Sequence, residues 1–108
     1  MGDGNIVFKS APINSAASGD RVAVAAVTGA VINVHAYVIK TDGTGGDFRW
    51  EDGGGGTALS GVMILEANGQ IICPFSEIPW FKTSVNTNLS MEIGAGTIDG
   101  HVIYSEGS

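Results

Sequence analysis

Glycine spacing is the feature that most restricts the fold of this chain. Seventeen glycines are spread over 108 residues and divide the sequence into short segments. Glycine weakens a helix interior, and apolar residues do not keep a helical spacing over any useful length. Apolar and polar residues instead alternate with a period of two, which is typical of strands with one buried face. The sequence therefore predicts an all-β fold with short turns.

The alternating segments are short and closely spaced. They predict about eight strands, at residues 5–9, 20–26, 31–40, 47–51, 60–66, 70–73, 88–93 and 100–104. Strands at this spacing with Gly-rich turns favour a small antiparallel β-sandwich of jelly-roll-like form. The length fits a single domain over residues 1–108, with loose ends at 1–4 and 106–108.

The segment 31–40 gives the clearest prediction of which residues face the core. Its even-numbered residues are all apolar and are predicted to be buried: Ile32, Val34, Ala36 and Val38. Its odd-numbered residues include Asn33, His35 and Tyr37, so the second face is expected to be partly covered or to contact a partner. In segment 88–93 the odd-numbered residues are predicted to point inward.

Two further segments predict local structure. Asn68-Gly69 separates two apolar runs and indicates a β-hairpin between them. Residues 42–56, "DGTGGDFRWEDGGGG", combine seven glycines with four acidic residues around Phe48, Arg49 and Trp50. A run of glycines has little conformational preference of its own. This segment is predicted to be a flexible loop that follows a short strand.

Charge and cysteine content narrow the classes of partner. Eleven acidic residues outnumber five scattered basic ones, giving a net charge of -6, whereas binding phosphates requires clustered Lys and Arg. We therefore expect no nucleic-acid partner. No apolar run reaches the ~18 residues of a membrane helix, and no signal peptide is visible, so we expect no membrane partner and folding in a reducing cytoplasm. Cys73 is the single cysteine, which excludes an internal disulfide.

Motifs for catalysis and for metal or cofactor binding are incomplete. The EF-hand spacing counted from Asp42 fails at Thr44, Gly46 and Gly53. Dinucleotide and phosphate-loop patterns and the G-x-S-x-G motif do not occur. A Cys–His pair of Cys73 with His35 or His101 has no support from spacing. We therefore predict no catalytic residue, no metal site and no cofactor, and a protein that is not an enzyme.

Bulky side chains are concentrated in "CPFSEIPWFKT", residues 73–83, which cannot form a regular helix or a central strand. Its aromatic residues are predicted either to close one end of the core or to anchor a neighbouring subunit. Tyr37, Phe48, Trp50 and Trp80 are further predicted as a possible flat platform for a sugar. The full set of interface candidates is Tyr37, Phe48, Trp50, Phe75, Trp80 and Phe81.

A series of short motifs runs from Thr57 to Tyr104. They are "LSG" (59–61), "NG" (68–69), "PF" (74–75), "WFKT" (80–83), "NLSM" (88–91) and "DGHVIY" (99–104). In this order and spacing they resemble a family of small virion structural proteins of tailed bacteriophages, of the capsid decoration (cement) type. The chain departs from the family pattern at Ser60, at Asp99 and in the loop 84–87.

The resemblance implies a non-enzymatic β-sandwich protein that binds and stabilises the head shell as a homo-oligomer, often a trimer. Its partners would be further copies of itself and the major capsid protein. It would be made in the host cytoplasm and lie on the capsid surface of the virion. The alternative is a tail, neck or fibre component that acts as a receptor- or carbohydrate-binding module.

Overall fold

The computed structural model describes residues 6–107, which form eight strands and no helix. The strands are β1 (Lys9–Ala16), β2 (Gly19–Val24), β3 (Val31–Asp52), β4 (Thr57–Ala58), β5 (Met63–Leu65), β6 (Gln70–Cys73), β7 (Phe81–Lys82) and β8 (Leu89–Gly107). Within this part of the chain there is consequently no helix that could cross a membrane. The predicted all-β fold is confirmed.

Two long strands form the centre of one open antiparallel sheet. β3 and β8 pair with each other from Val31 opposite Gly107 to Asp52 opposite Leu89. β1 and β2 lie end to end along the free side of β8. The short strands β4, β5, β6 and β7 lie end to end along the free side of β3. The sheet therefore consists of a long central pair with shorter strands along both of its sides.

A sharp irregularity divides the central pair into two halves. Thr41 pairs with Ile98 and Gly46 pairs with Gly96, so residues 42–45 of β3 lie opposite only Thr97. A straight strand with the 22 residues of β3 would be about 70 Å long. The longest dimension of the protein is only 48 Å. The sheet therefore bends at this point, which we call the corner.

The bend brings the inner faces of the two halves together. Trp50 lies in the second half of the sheet, after the corner. Its ring lies 5.3 Å from that of Tyr37 and 6.1 Å from that of Phe81, and both of these residues belong to the first half. The buried core is Ile13, Val24, Ile32, Val34, Tyr37, Ile39, Phe48, Trp50, Leu65, Leu89, Met91, Ile93, Ile98 and Val102. A single bent sheet thus provides two facing layers, which is compatible with the predicted sandwich.

Because of a β-bulge at His35, the side chains of β3 that face the core differ from those predicted. Val34 pairs with Tyr104 and Ala36 pairs with Ile103, so His35 has no residue opposite it. One extra residue moves all following side chains to the other face of the sheet. The prediction of buried positions is confirmed for Ile32 and Val34 and wrong for Ala36 and Val38, which are only half-buried.

The acidic Gly-rich segment is mostly a strand, so its prediction as a flexible loop is wrong, whereas the strand predicted at residues 47–51 is confirmed as part of β3. Residues 42–52 belong to β3, and only residues 53–56 form a turn. Phe48 and Trp50 are 1% and 0% exposed, and their burial holds this part of the backbone against β8. Glycines do not prevent pairing where large neighbouring side chains are buried.

The Asn68-Gly69 turn exists, but the predicted hairpin does not. Asn68 has a positive φ of 56°, and Gly69 N–H donates to the carbonyl of Glu66 at 2.9 Å. The flanking strands β5 and β6 do not pair with each other, because both pair with β3. The turn lies beside the corner, where Asn68 N–H donates to the Asp42 carbonyl at 2.7 Å. It lets the edge of the sheet follow the bend of β3.

The chain ends also differ from the predictions. The strand expected at residues 5–9 begins only at Lys9, whereas Ile6, Val7 and Phe8 are irregular. Glu106 and Gly107, expected to be loose, pair with the start of β3. The Glu106 carboxylate accepts from Lys9 Nζ at 2.9 Å, which raises the pKa of Lys9. Residues 1–5 and 108 lie outside the described residues.

Candidate interface at the 73–83 segment

The segment 73–83 forms an irregular edge beside the first half of β3. β6 ends at Cys73, immediately before Pro74, which has no N–H for further pairing. The backbone then remains attached at intervals: Ser76 N–H donates to the His35 carbonyl at 3.0 Å and Trp80 N–H donates to the Val34 carbonyl at 2.9 Å. The prolines therefore prevent a continuous strand here without detaching the segment from the sheet.

The aromatic residues of this segment take both of the predicted positions. Phe81 is partly buried and packs against the core beside Trp50. Phe75 and Trp80 are 53% and 52% exposed. Trp80 Nε1–H donates to the Pro74 carbonyl at 2.9 Å, which fixes the indole although it faces solvent. One aromatic side chain thus closes the core, and two project outward from a supported backbone.

The exposed aromatic residues continue onto the chain before β1. The rings of Phe8 and Phe75 are in edge-to-face contact with centroids 5.0 Å apart. Ile78, between the two exposed aromatics of the segment, is 79% exposed. We call this surface, formed by Phe8, Phe75, Ile78 and Trp80, the aromatic edge. Large apolar side chains exposed together on one side of a protein indicate a contact surface.

A cleft of about 620 Å³ opens beside the aromatic edge. It is lined by Ile6, Val7, Lys9, Asn33, His35, Glu77, Pro79, Ser105, Glu106 and Gly107. Its wall combines aliphatic side chains with both signs of charge, and the Lys9–Glu106 ion pair lies at its margin. The cleft is therefore suited to a ligand surface that has both apolar and polar groups.

His35 and Ser105 form a buried hydrogen-bond network at this cleft. Nδ1 of His35 lies 2.8 Å from the Ser76 carbonyl oxygen, and Nε2 lies 2.7 Å from Ser105 Oγ. The carbonyl can only accept, so in the neutral ring Nδ1 donates and Nε2 accepts the hydroxyl proton. Asn33 Nδ2 also donates to Ser105 Oγ, at 3.3 Å. The His35 side chain thus connects the 73–83 segment to β8, in addition to the backbone hydrogen bonds that attach the segment to β3.

Replacing Ser105 with alanine is expected to lower the free energy of unfolding by about 1–3 kcal/mol, because it leaves the buried Nε2 of His35 without a partner and removes the acceptor of the half-buried Asn33 amide. Urea unfolding followed by circular dichroism measures this change. Ser10→Ala is the matched control, because Ser10 is exposed on the outer strand β1. Equal unfolding midpoints for the two variants would show that the Ser105 hydroxyl contributes nothing to stability.

The predicted sugar platform does not form from the expected residues. Tyr37, Phe48 and Trp50 are 6%, 1% and 0% exposed and belong to the core. Of the predicted interface candidates, Phe75 and Trp80 are the exposed ones, and Phe81 is partly buried. Phe8 and Ile78 are also exposed but are not among the predicted candidates, because their exposure depends on how the chain passes the edge of β3.

Neither histidine forms the Cys–His pair considered from the sequence. Cys73 lies opposite Tyr37 in the sheet, and burial raises the pKa of its thiol. A raised pKa keeps the thiol protonated, which is the opposite of what a nucleophilic cysteine requires. His101 is exposed and lies opposite Val38 and Pro12. Cys73 therefore acts as a partly buried side chain of the sheet, and His101 as an exposed one.

The chain has no match among the family models, curated proteins or solved structures with which it was compared. The sequence contains a series of short motifs between residues 57 and 104. Two of these motifs, Pro74-Phe75 and Trp80-Phe81, lie in the candidate interface. They contain Pro74 and both exposed aromatic residues of the segment, Phe75 and Trp80.

Proposed function

We propose that this protein is a non-enzymatic structural subunit of a bacteriophage virion. In this proposal it is a decoration (cement) protein that binds the capsid surface as a homo-oligomer, in the simplest form a trimer. Its partners are further copies of the chain and the major capsid protein. The aromatic edge is the contact between subunits.

The observation that carries the proposal is the exposure of Phe75, Ile78 and Trp80 on a fixed backbone. Exposed aromatic side chains are among the strongest contributors to protein interfaces when they become buried. The hydrogen bond from Trp80 to Pro74 holds the indole in place before binding. A side chain that is already ordered loses little conformational freedom on association, which favours a tight contact.

The form of the edge also favours contact through side chains over strand addition. Pro74 and Pro79 interrupt the row of backbone donors that an added strand would need. In a closed ring each subunit contacts the next through two different surfaces. The aromatic edge would thus be covered by another surface of the neighbouring subunit. The remaining surface of the ring would then be available to the capsid.

The proposal predicts an oligomer that depends on the aromatic edge. Light scattering is expected to give three times the chain mass of 11.0 kDa. The double variant Phe75→Ser with Trp80→Ala is expected to be a folded monomer, because it removes the two exposed aromatic side chains of segment 73–83, which are not part of the buried core. Circular dichroism checks that it remains folded.

Ile64→Ser is the matched control, because Ile64 is 82% exposed and lies in the other half of the sheet. It should leave the oligomer intact. Added protein should raise the temperature at which shells of the parent phage disrupt, and the double variant should not. A wild-type chain that stays monomeric at all concentrations and does not bind shells would overturn the proposal.

A receptor- or carbohydrate-binding component of the tail or fibre is the second candidate. The observation that favours it is the position of the fixed Trp80 indole beside a cleft with polar lining. Aromatic faces next to hydrogen-bonding groups suit sugar rings. A glycan array with hits that disappear in Trp80→Ala, while the oligomer persists, would support this function over capsid decoration.

A further inference from the structure

Three carboxylates meet on the outer face of the second half of the sheet. Asp20 of β2 lies opposite Glu92 of β8, and Glu92 lies opposite Arg49 of β3. An oxygen atom from each of Asp20, Glu51 and Glu92 lies within 4.8 Å of one from each of the others. We call these residues the acidic cluster. They come from three strands and include no residue of the aromatic edge, so the site is independent of the proposed function.

Arg49 balances only part of the charge of this cluster. Its Nη2 and Nε donate to Glu51 Oε2 at 2.9 and 3.1 Å, and Nε also lies 3.0 Å from Glu92 Oε1. One guanidinium against three carboxylates leaves two negative charges. The Glu51 side chain is 0% exposed, so water does not screen its share of this excess. The arrangement therefore favours a further cation of charge two.

A buried hydroxyl without a partner lies in the same place. Ser90 pairs with Glu51 on one side and with Val22 on the other, and Glu92 follows two residues later in β8. Ser90 and Glu92 therefore point to the same face of the sheet as Glu51. Ser90 is 0% exposed, and its Oγ makes no hydrogen bond. Since buried hydroxyls are nearly always paired, this oxygen is available to bind an ion at the acidic cluster.

The turn at residues 53–56 covers the cluster. Gly55 N–H donates to Glu51 Oε1 at 3.2 Å. A Cβ atom added at Gly54 would lie 3.6 Å from the Cβ of Asp20. The turn thus extends from the end of β3 across to β2, over the carboxylates. It restricts access of water to Glu51 and leaves Asp20, which is exposed, at the opening.

We propose that Asp20, Glu51, Glu92 and Ser90 bind a calcium ion. Carboxylate and hydroxyl oxygens are hard ligands, which select Ca²⁺ or Mg²⁺ over softer metals. Ligands contributed by three separate strands and an irregular turn fit the flexible coordination of Ca²⁺ better than the strict octahedron of Mg²⁺. The ion would neutralise the excess charge and fasten the edge strand β2 and the 53–56 turn to β8.

Thermal unfolding of the full chain, freed of metal with a chelator and titrated with CaCl₂, tests the proposal. The unfolding temperature is expected to rise with Ca²⁺ until the site is saturated, because only the folded chain assembles the ligands. Isothermal titration calorimetry should show one ion per chain. Asp20→Asn and Glu92→Gln are each expected to weaken Ca²⁺ binding by about tenfold or more. Glu106→Gln, the same change of charge at a remote ion pair, should leave it unaltered.

The variant Ser90→Ala tests whether the Ser90 hydroxyl binds calcium or is only buried. It is expected to raise the unfolding temperature of the metal-free chain, since it removes an unpaired buried oxygen. It should at the same time weaken Ca²⁺ binding several-fold. Unchanged Ca²⁺ affinity in this variant would exclude Ser90 as a ligand and overturn the site as proposed.

Three other results would overturn the calcium site. The first is a wild-type unfolding temperature that does not respond to millimolar Ca²⁺. The second is an equal loss of binding in Glu106→Gln, which would indicate unspecific attraction to the acidic surface. The third is an equal effect of Mg²⁺ at the same concentration, which would contradict the assignment to calcium.

Discussion

Trp50→Ala is expected to lower the free energy of unfolding by about 3–5 kcal/mol, the usual cost of truncating a fully buried aromatic residue. Trp50 is 0% exposed and contacts aromatic rings from both halves of the bent sheet. Its removal leaves a cavity between the halves, which the backbone can close only by changing the bend. A domain of this size has about 5–15 kcal/mol of stability in total, so the variant should be close to unfolding.

Trp50→Phe is the matched control for this prediction. Trp50 Nε1 is buried and makes no hydrogen bond of good geometry, although it interacts with the Tyr37 side chain, so phenylalanine removes a poorly paired donor while it keeps most of the ring contacts. We expect a loss of less than half that of the alanine variant. Urea unfolding followed by the fluorescence of Trp80, the other tryptophan, measures both. Equal losses for the two variants would show that the polar atom is satisfied and that the indole shape is essential.

The strands that could be predicted from the sequence are those with regular alternation. β6 lies at the predicted residues 70–73, and β2, at residues 19–24, overlaps most of the predicted 20–26. The inward side chains of segment 88–93 are also as predicted, because β8 has no irregularity between Leu89 and Ile93 that changes its faces. Period-two burial is a local property, so a short window of sequence is enough to detect it.

The irregularities of the sheet could not be predicted in the same way. The bulge at His35 leaves the amino-acid pattern unbroken, since both faces of this part of β3 carry apolar residues. The segments 31–40 and 47–51, predicted as two strands, form the single strand β3, because residues 42–45 at the corner remain part of it. β4 and β7, of two residues each, were missed because so short a strand exists only through its pairing with β3.

The candidate interface was partly visible in the sequence. The concentration of proline and aromatic residues in segment 73–83 identified it, but not which rings are exposed. Which rings are exposed depends on which backbone groups of the segment form hydrogen bonds with β3, as Trp80 N–H does. The acidic cluster was not visible at all. Asp20, Glu51 and Glu92 become neighbours only through the register of three strands, and no local motif encodes a register.

The corner gives the second large expected effect, at Gly96. This residue has a φ of +80°, a conformation that a side chain makes unfavourable by about 1–2 kcal/mol. A Cβ atom there would lie 1.9 Å from the carbonyl oxygen of Gly45 and 2.9 Å from its carbonyl carbon. Both are backbone atoms of the facing strand, so no side chain can move aside.

Gly96→Ala is therefore expected to lower the free energy of unfolding by about 3–5 kcal/mol, from backbone strain together with overpacking. The near-ultraviolet circular dichroism should weaken as well, because the corner sets the approach of Trp50 to Tyr37. Urea unfolding and the aromatic spectrum measure the two effects. A spectrum that stays native while stability falls would show that the halves keep their packing by shifting the corner alone.

Gly43→Ala is the matched control at the same corner. Gly43 has no atom within 4 Å of an added Cβ and no positive φ. Alanine there should change stability by no more than about 0.5 kcal/mol. Because both variants add the same methyl group within the irregular part of the central pair, their difference isolates the close approach of Gly96 to Gly45. Similar unfolding midpoints for the two would contradict a tightly packed corner and leave the core contacts of Trp50 as the main support of the bend.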